Sequence, residues 1–228
     1  MADDQTYRPG AAVPPWLAGL SRKAPGNLSP ELTRYAGPVP AHARGSAVLA
    51  LFGTGDQGPD LLLLRRSGTL RDHPGQVCFP GGSAAPGDGG PVRTALREAR
   101  EETGVNPSEV RIAGTLAPLN LAHSGFSVVP VLGWWGAGGR IAADGEEIVS
   151  AHRVPLADLA DPGARLLIRV ADSHLSPAFL ARNLFVWGFT AALTAWLLRV
   201  GGWERPWDAG RVEDLSDARH RYGGGPPP

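Results

Sequence analysis

The chain has 228 residues, 22 Lys+Arg against 22 Asp+Glu, a formal net charge of zero and one cysteine, Cys78. That length accommodates one domain with a sizeable core plus extensions, the balanced charge removes any global attraction to nucleic acid or a membrane surface, and a single cysteine excludes an intramolecular disulfide. The opening Met1-Ala-Asp-Asp-Gln has acids where a signal peptide has bases, and the apolar stretch Leu184 to Leu198 is interrupted by Thr190 and Thr194 and too short to cross a bilayer, so the sequence predicts a soluble, cytoplasmic protein.

Residues 1–40 are rich in Pro and Gly and read as an N-terminal extension lying over the body, with a short helix near Pro15 to Leu20. The body, 41–203, alternates short apolar strands with few helices. Ala47 to Phe52 and Leu61 to Leu64 are strand-like runs joined by a hairpin loop, Gly53-Thr-Gly-Asp-Gln-Gly-Pro. A glycine-rich loop then leads into a helix from Pro91, a favoured first helical residue, to Thr103, with Gly104 placed to stop it. Val92, Ala95, Leu96 and Ala99 are spaced to face a core. Further strands are expected at Val110 to Leu116, Val128 to Trp135 and Ile148 to Val154, and an amphipathic helix at Gly188 to Val200. Residues 204–228 end in Gly-Gly-Gly-Pro-Pro-Pro and read as a flexible tail. The simplest architecture is α/β, a mixed sheet with helices on both sides.

The Pro91 helix carries the most informative feature. Glu98, Glu101 and Glu102 are three and four residues apart and share one face. They lie in the helix's second half, where its dipole disfavours negative charge, and they repel one another by a few tenths of a kcal/mol per pair. Folding needs none of this. A divalent cation bound through hard oxygen ligands would turn the repulsion into binding; a solvated charged face is the alternative account.

Two motifs then support a family resemblance. Gly82 to Val105 resembles a Nudix box, with the ending Arg97-Glu98-Ala99-Arg100-Glu101-Glu102-Thr103-Gly104-Val105 complete at each specified position. The first half departs from the general box: Asp88 stands where the family usually has Glu, and eight residues rather than seven separate it from Arg97. Asp88 is therefore not expected among the metal ligands. Upstream, Leu62 to Gly82 resembles the extra signature of the coenzyme A pyrophosphatase branch, carrying Arg66, Ser67, Arg71, Gly75 and Phe79-Pro80-Gly81-Gly82; Leu64 replaces its usual Thr, and Ser83 and Ala85 replace a basic and an acidic residue. The same branch tolerates Asp at the place of Asp88 and the one-residue insertion. Weaker likeness runs on through Ser124-Gly125-Phe126, Glu147-Ile148 and Trp187-Gly188-Phe189, so that it covers roughly residues 45–202.

The resemblance implies a Nudix-type α/β/α sandwich and hydrolysis of a diphosphate joined to another moiety, with Mg²⁺ or Mn²⁺ as cofactor. It makes Glu98, Glu101 and Glu102 metal ligands, with the Gly82 carbonyl as a further oxygen. Arg97, four residues before Glu101, is placed to orient it. Glu147 is the candidate loop acid that deprotonates or positions the water or binds another metal, with Glu146 its rival; Glu101, Arg97 and Glu147 form the catalytic group. Arg66, Arg71 and Gly81 are candidates for substrate binding, Arg being suited to bidentate phosphate contacts. His73 and His123 read as turn or surface residues. Cys78, Trp134, Trp135 and Trp187 read as core.

The implied substrate is a small-molecule nucleotide, coenzyme A or an acyl derivative, cut to 3′-phospho-ADP and 4′-phosphopantetheine. The alternatives are a Nudix hydrolase of another nucleoside diphosphate, such as ADP-ribose or a dinucleotide, and a non-catalytic nucleotide-binding module. Intact glutamates argue against the last. No nucleic-acid or membrane partner is expected. A homodimer, with the N-terminal extension at its interface, is left open.

Overall fold

The computed structural model describes residues 12–23, 30–121, 124–170 and 174–223. His123 lies outside them. In chain order the elements are α1 (Pro15–Lys23), α2 (Pro30–Thr33), β1 (Arg44–Gly55), β2 (Gly58–Arg66), β3 (Val77–Cys78), β4 (Gly81–Ser83), α3 (Pro91–Thr103), β5 (Arg111–Thr115), β6 (Leu119–Leu121), β7 (Phe126–Trp134), β8 (Ile148–Pro155), α4 (Leu156–Leu159), β9 (Arg165–Val170), β10 (His174–Ala181), β11 (Leu184–Val186), α5 (Gly188–Gly201), β12 (Val212–Asp214) and α6 (Leu215–Tyr222).

Among the described residues the first sheet has eight strands ordered β3-β2-β1-β7-β5, with β4 on β1, β6 on β7 and β8 on β2. β1 and β7 run parallel from Arg44↔Phe126 to Phe52↔Trp134, whereas β2 pairs antiparallel with both β1 and β8. The sheet is therefore mixed, as expected. The β1–β2 hairpin forms too, but its strands continue through the expected loop to a Gly55↔Gly58 pair.

Strand alternation explains why the central runs are apolar on both sides. Ala47, Leu49 and Leu51 of β1 and Leu62 and Leu64 of β2 pack with Ala95 and Ala99 of α3. Their neighbours Ala50, Phe52, Leu61 and Leu63 face the opposite side, with α1, α2 and α5. A strand covered on both faces loses the apolar–polar alternation of a half-exposed one. The layers are thus helix, sheet, helix.

The N-terminal segment joins this core: Leu17, Leu20 and Leu32 are fully buried, and the Trp16 ring meets Phe52, Trp134 and Trp203 edge-on, at centroid distances of 5.3, 6.2 and 4.5 Å. α5 is buried around nearly its whole circumference, which corrects the expectation of an amphipathic helix. Even Thr194 is enclosed, its hydroxyl donating to the Thr190 carbonyl at 2.8 Å.

A second sheet, ordered β11-β10-β9-β12, was not anticipated. Its last strand and α6 fall within 204–228: Val212–Asp214 pair in parallel with β9, and Ala218 is buried against Leu166, Ile168 and Phe185. Structural elements therefore continue past residue 203, across the boundary drawn for a tail. Among the described residues no helix is long and apolar enough to cross a membrane.

Candidate active site

α3 begins as its sequence requires, with Pro91 in the first turn, and ends on Gly104 at φ 71°, whose N–H donates to the Arg100 carbonyl at 2.8 Å. Its apolar side is fixed against the sheet, so Glu98, Glu101 and Glu102 are turned towards β4. The three line one cleft of about 510 Å³ with Arg66, Gly81, Gly82, Ser83, Asp144, Glu146 and Glu147. Six of these ten residues carry carboxylates and one is cationic.

The phenylalanine–proline–glycine–glycine segment brings its backbone against the acids. Gly81 and Gly82 pair with Val48 and Ala47 of β1. Gly81 has φ 153°, and a Cβ there would stand 2.3 Å from the Ala47 carbonyl oxygen. A Cβ on Gly82 would stand 2.5 to 2.7 Å from the Glu98 carboxyl atoms. Gly81 is thus required by close approach to the β1 backbone, whereas at Gly82 a side chain would displace the Glu98 carboxylate. The Gly81 N–H donates to Glu102 Oε2 at 3.0 Å, and the Gly82 carbonyl accepts the Ser46 hydroxyl at 2.7 Å.

Arg97 organises the other two glutamates. Its guanidinium donates to Glu101 Oε2 at 2.9 Å and to the Ser83 carbonyl at 2.9 Å, and pairs with Glu98 Oε1 at 2.9 Å. Arg97 and Glu101, four residues apart, are thus in direct contact on one face of α3. Arg97 is itself held by Asp88, through Nε to Oδ1 at 2.9 Å and Nη2 to Oδ2 at 3.1 Å. Asp88 also accepts the Ala85 N–H and the Thr94 hydroxyl, fastening the glycine-rich loop to the first turns of α3. These bonds, Arg97's foremost, hold its carboxyl well below the usual range. Asp88 is therefore a brace for Arg97.

Electrostatics around Glu98 and Glu102 run against ionisation. Glu102 is only 6 % exposed. Burial first, and then the neighbouring Glu98 and Asp144 carboxylates, push its carboxyl up to about 8, although the Gly81 N–H and Arg66 oppose the shift. Burial also raises Glu98, against the pull of Arg97. Cys78, beside Glu102 and Arg66, is pushed up to about 12, mainly by burial, which keeps it a thiol at neutral pH.

Among the described residues, no three His, Cys, Asp or Glu side chains converge on one ion position. Arg97 engages Glu98 and Glu101, and the Gly81 N–H engages Glu102, so the carboxylates share a cleft without sharing a point. The donor set nevertheless fits a hard divalent cation: all the acids supply oxygen, they crowd one cleft, and their mutual repulsion is what such a charge would relieve.

The loop after β7 supplies the remaining acids. Glu147 reaches Arg66 at 3.9 Å and is 64 % exposed at its side chain. Asp144, which the sequence reading did not single out, joins Glu146 and Glu147 in the lining. Arg71 is exposed on the loop before β3 and outside the cleft lining. His73 sits in a turn at φ 56°, its ring bonded to Gln76 at 3.1 Å. Trp134 and Trp135 are buried, and Trp187 packs partly buried beside Phe185.

Comparison with known proteins agrees with this geometry. A family model described as the NUDIX domain matches residues 42–177. Proteins named "Uncharacterized Nudix hydrolase NudL" from Photorhabdus laumondii and Pectobacterium atrosepticum are 37 % and 41 % identical to this chain over 138 and 139 residues, covering 59 % of it and 73 % and 71 % of their own lengths. A crystal structure of a Nudix hydrolase from M. smegmatis, RenU, superposes with a TM-score of 0.51 at 17 % identity, over 73 % of this chain and 90 % of that one. At that identity the superposition speaks for the fold.

Proposed function

The chain belongs to the Nudix hydrolase family, and within that family we propose that it cleaves the diphosphate of coenzyme A or acyl-coenzyme A, using Mg²⁺ or Mn²⁺. Nudix hydrolases act on nucleoside diphosphate derivatives and are generally dependent on a divalent metal. The observation that supports the finer reading is that Arg66, Gly81 and Gly82, from the segment resembling the coenzyme A pyrophosphatase signature, line the same cleft as Glu98, Glu101 and Glu102.

Each group then has a task. Glu98, Glu101 and Glu102, with the Gly82 carbonyl, would hold the cation, which when bound neutralises phosphate oxygens and acidifies a water. Arg97, braced by Asp88, fixes Glu98 and Glu101 so that little reorganisation is needed on binding. Among the described residues Arg66 is the one cationic side chain in the lining, and its 3.9 Å separation from Glu147 is too long for a hydrogen bond, which leaves guanidinium donors for phosphate oxygens. Glu147 receives or directs the proton of the attacking water.

Water adds to one phosphorus and the bridging oxygen leaves with the other phosphate. Coenzyme A carries two phosphates in that bridge and one at the ribose 3′ position. The nucleotide product is therefore adenosine 3′,5′-bisphosphate, which corrects the expected 3′-phospho-ADP. The partner product is 4′-phosphopantetheine or its acyl form.

Incubation with Mg²⁺ and coenzyme A, ADP-ribose or dinucleotides, followed by chromatography of the products, tests this reading. Selective cleavage of coenzyme A is expected. Turnover of ADP-ribose or a dinucleotide alone would transfer the enzyme to another substrate class, and binding without product from any of them would make it a sensor.

A further inference from the structure

The loop that delivers Glu146 and Glu147 is built onto the end of α3. The last carbonyls of a helix lack partners within it. Here the Ala142 N–H donates to the Thr103 carbonyl at 3.1 Å and the Asp144 N–H donates to the Glu102 carbonyl at 3.2 Å. Glu102 thus faces the cleft with its side chain and anchors the acidic loop with its backbone.

Asp144 then turns the chain. Its Oδ1 accepts the Glu146 N–H at 2.7 Å and the Ile148 N–H at 2.9 Å. Gly145, between Asp144 and Glu146, has φ 81°, and its N–H donates to the Ile148 carbonyl at 3.0 Å. A side-chain oxygen taking the N–H two residues on is a local turn device of Asp and Asn. Accepting a second N–H, at the first residue of β8, extends the grip across both Glu146 and Glu147. On the far side the Glu147 carbonyl accepts the Ser67 N–H at 2.7 Å, which links the loop to the segment just after β2 and Arg66.

We infer that Asp144 is a positioning residue for hydrolysis: by gathering the N–H groups of Glu146 and Ile148 it sets Glu147 at the rim of the cleft, opposite the glutamates of α3. The inference rests on the functional reading above. Asp144 acts here as a hydrogen-bond acceptor, so Asn, which keeps an acceptor oxygen, can replace it and Ala cannot. A misplacement of about 1 Å in a catalytic group is enough to cost up to about a hundredfold in rate.

The test compares full-length wild type, Asp144→Ala and Asp144→Asn by amide hydrogen exchange and by steady-state kinetics on whichever of coenzyme A, ADP-ribose or a dinucleotide the wild type cleaves. In Asp144→Ala, exchange at Glu146 and Ile148 should accelerate about tenfold or more while the β2 amides keep wild-type rates, and kcat should fall about tenfold or more with KM within about twofold. Asp144→Asn should restore both to within about threefold. Unchanged exchange in the Ala variant overturns the proposal, as does a kcat within about twofold of wild type, or an Asn variant as slow as the Ala variant. A wild type that cleaves none of the three overturns the functional reading and this role with it, and that result is visible before any variant is compared.

Discussion

Glu102 Oε2 accepts the Gly81 amide at 3.0 Å, so the last buried acid of α3 is bonded to the strand that carries the glycine pair. The contact joins the two sequence motifs physically. It also places a carboxyl that is 6 % exposed beside two others, and the first predictions follow from that.

Glu102→Gln keeps the shape and an acceptor oxygen for Gly81 but removes the charge available to a cation. Charge stabilisation by a metal is worth several kcal/mol, and about 1.4 kcal/mol corresponds to a decade in rate. The variant should lose about a hundredfold or more in kcat while its circular dichroism and melting temperature stay at or above those of wild type. Near-normal turnover would remove Glu102 from the reaction.

The raised Glu102 carboxyl also sets a pH dependence. It titrates near 4.5 in the unfolded chain and near 8 in the folded one, so the folded state binds the proton more tightly. The resulting stabilisation is complete below the unfolded value and is lost as pH rises through about 8. In chelator-treated protein the melting temperature should therefore fall between about pH 5 and pH 8.5, by an amount corresponding to a few kcal/mol at most, and Glu102→Gln should flatten that decline. A cation must displace the proton, so Mg²⁺ should raise the melting temperature more at pH 8.5 than at pH 6. A metal-free melting temperature that rises over this range would contradict the placement of Glu102.

The two glycines of the pair should fail differently. A methyl on Gly81 meets backbone, 2.3 Å from the Ala47 oxygen and 2.7 Å from Val48 Cα, at φ 153°. Gly81→Ala should cost about 2 kcal/mol or more of stability, read by urea melts. A methyl on Gly82 meets only the end of the Glu98 side chain. Gly82→Ala should cost under about 1 kcal/mol and yet reduce kcat strongly by displacing that carboxylate. Equal losses of stability in the two would contradict this division.

Arg66 lines the cleft, whereas Arg71 is exposed outside the lining. A charge-assisted hydrogen bond is worth about 1.5–3 kcal/mol, so Arg66→Ala should raise KM about tenfold or more with a smaller change in kcat. Arg71→Ala should raise KM by less. Unchanged kinetics in the second would leave Arg71 a surface residue, and a larger effect there than at Arg66 would reverse the assignment.

The sequence revealed the parts of this molecule whose signals are local. Pro91 and Gly104 delimit α3 because each acts through its own backbone conformation. Leu61 to Leu64 read as a strand because the run is short and wholly apolar, and all four are buried. The second sheet had no such signature. Arg165–Val170 pairs with the adjacent β10 on one side and with β12, more than forty residues on in the chain, on the other, and nothing local announces the second pairing. α5 was expected to be amphipathic, but it is enclosed on nearly all sides, and its Thr194 spends its hydroxyl on the helix's own backbone. In the cleft, the glutamates and Arg97 were legible from helical spacing and from the motif. Asp144 was not, since its place depends on a loop docking to the carbonyls of Glu102 and Thr103.

Anomalous diffraction from crystals soaked in Mn²⁺ addresses the central claim most directly. The account predicts a manganese peak in the cleft between Gly81–Gly82 and the carboxylates of Glu98, Glu101 and Glu102, absent from the Glu102→Gln protein. A fully soaked wild-type crystal with no peak there, or with manganese only at acids elsewhere on the surface, would contradict it.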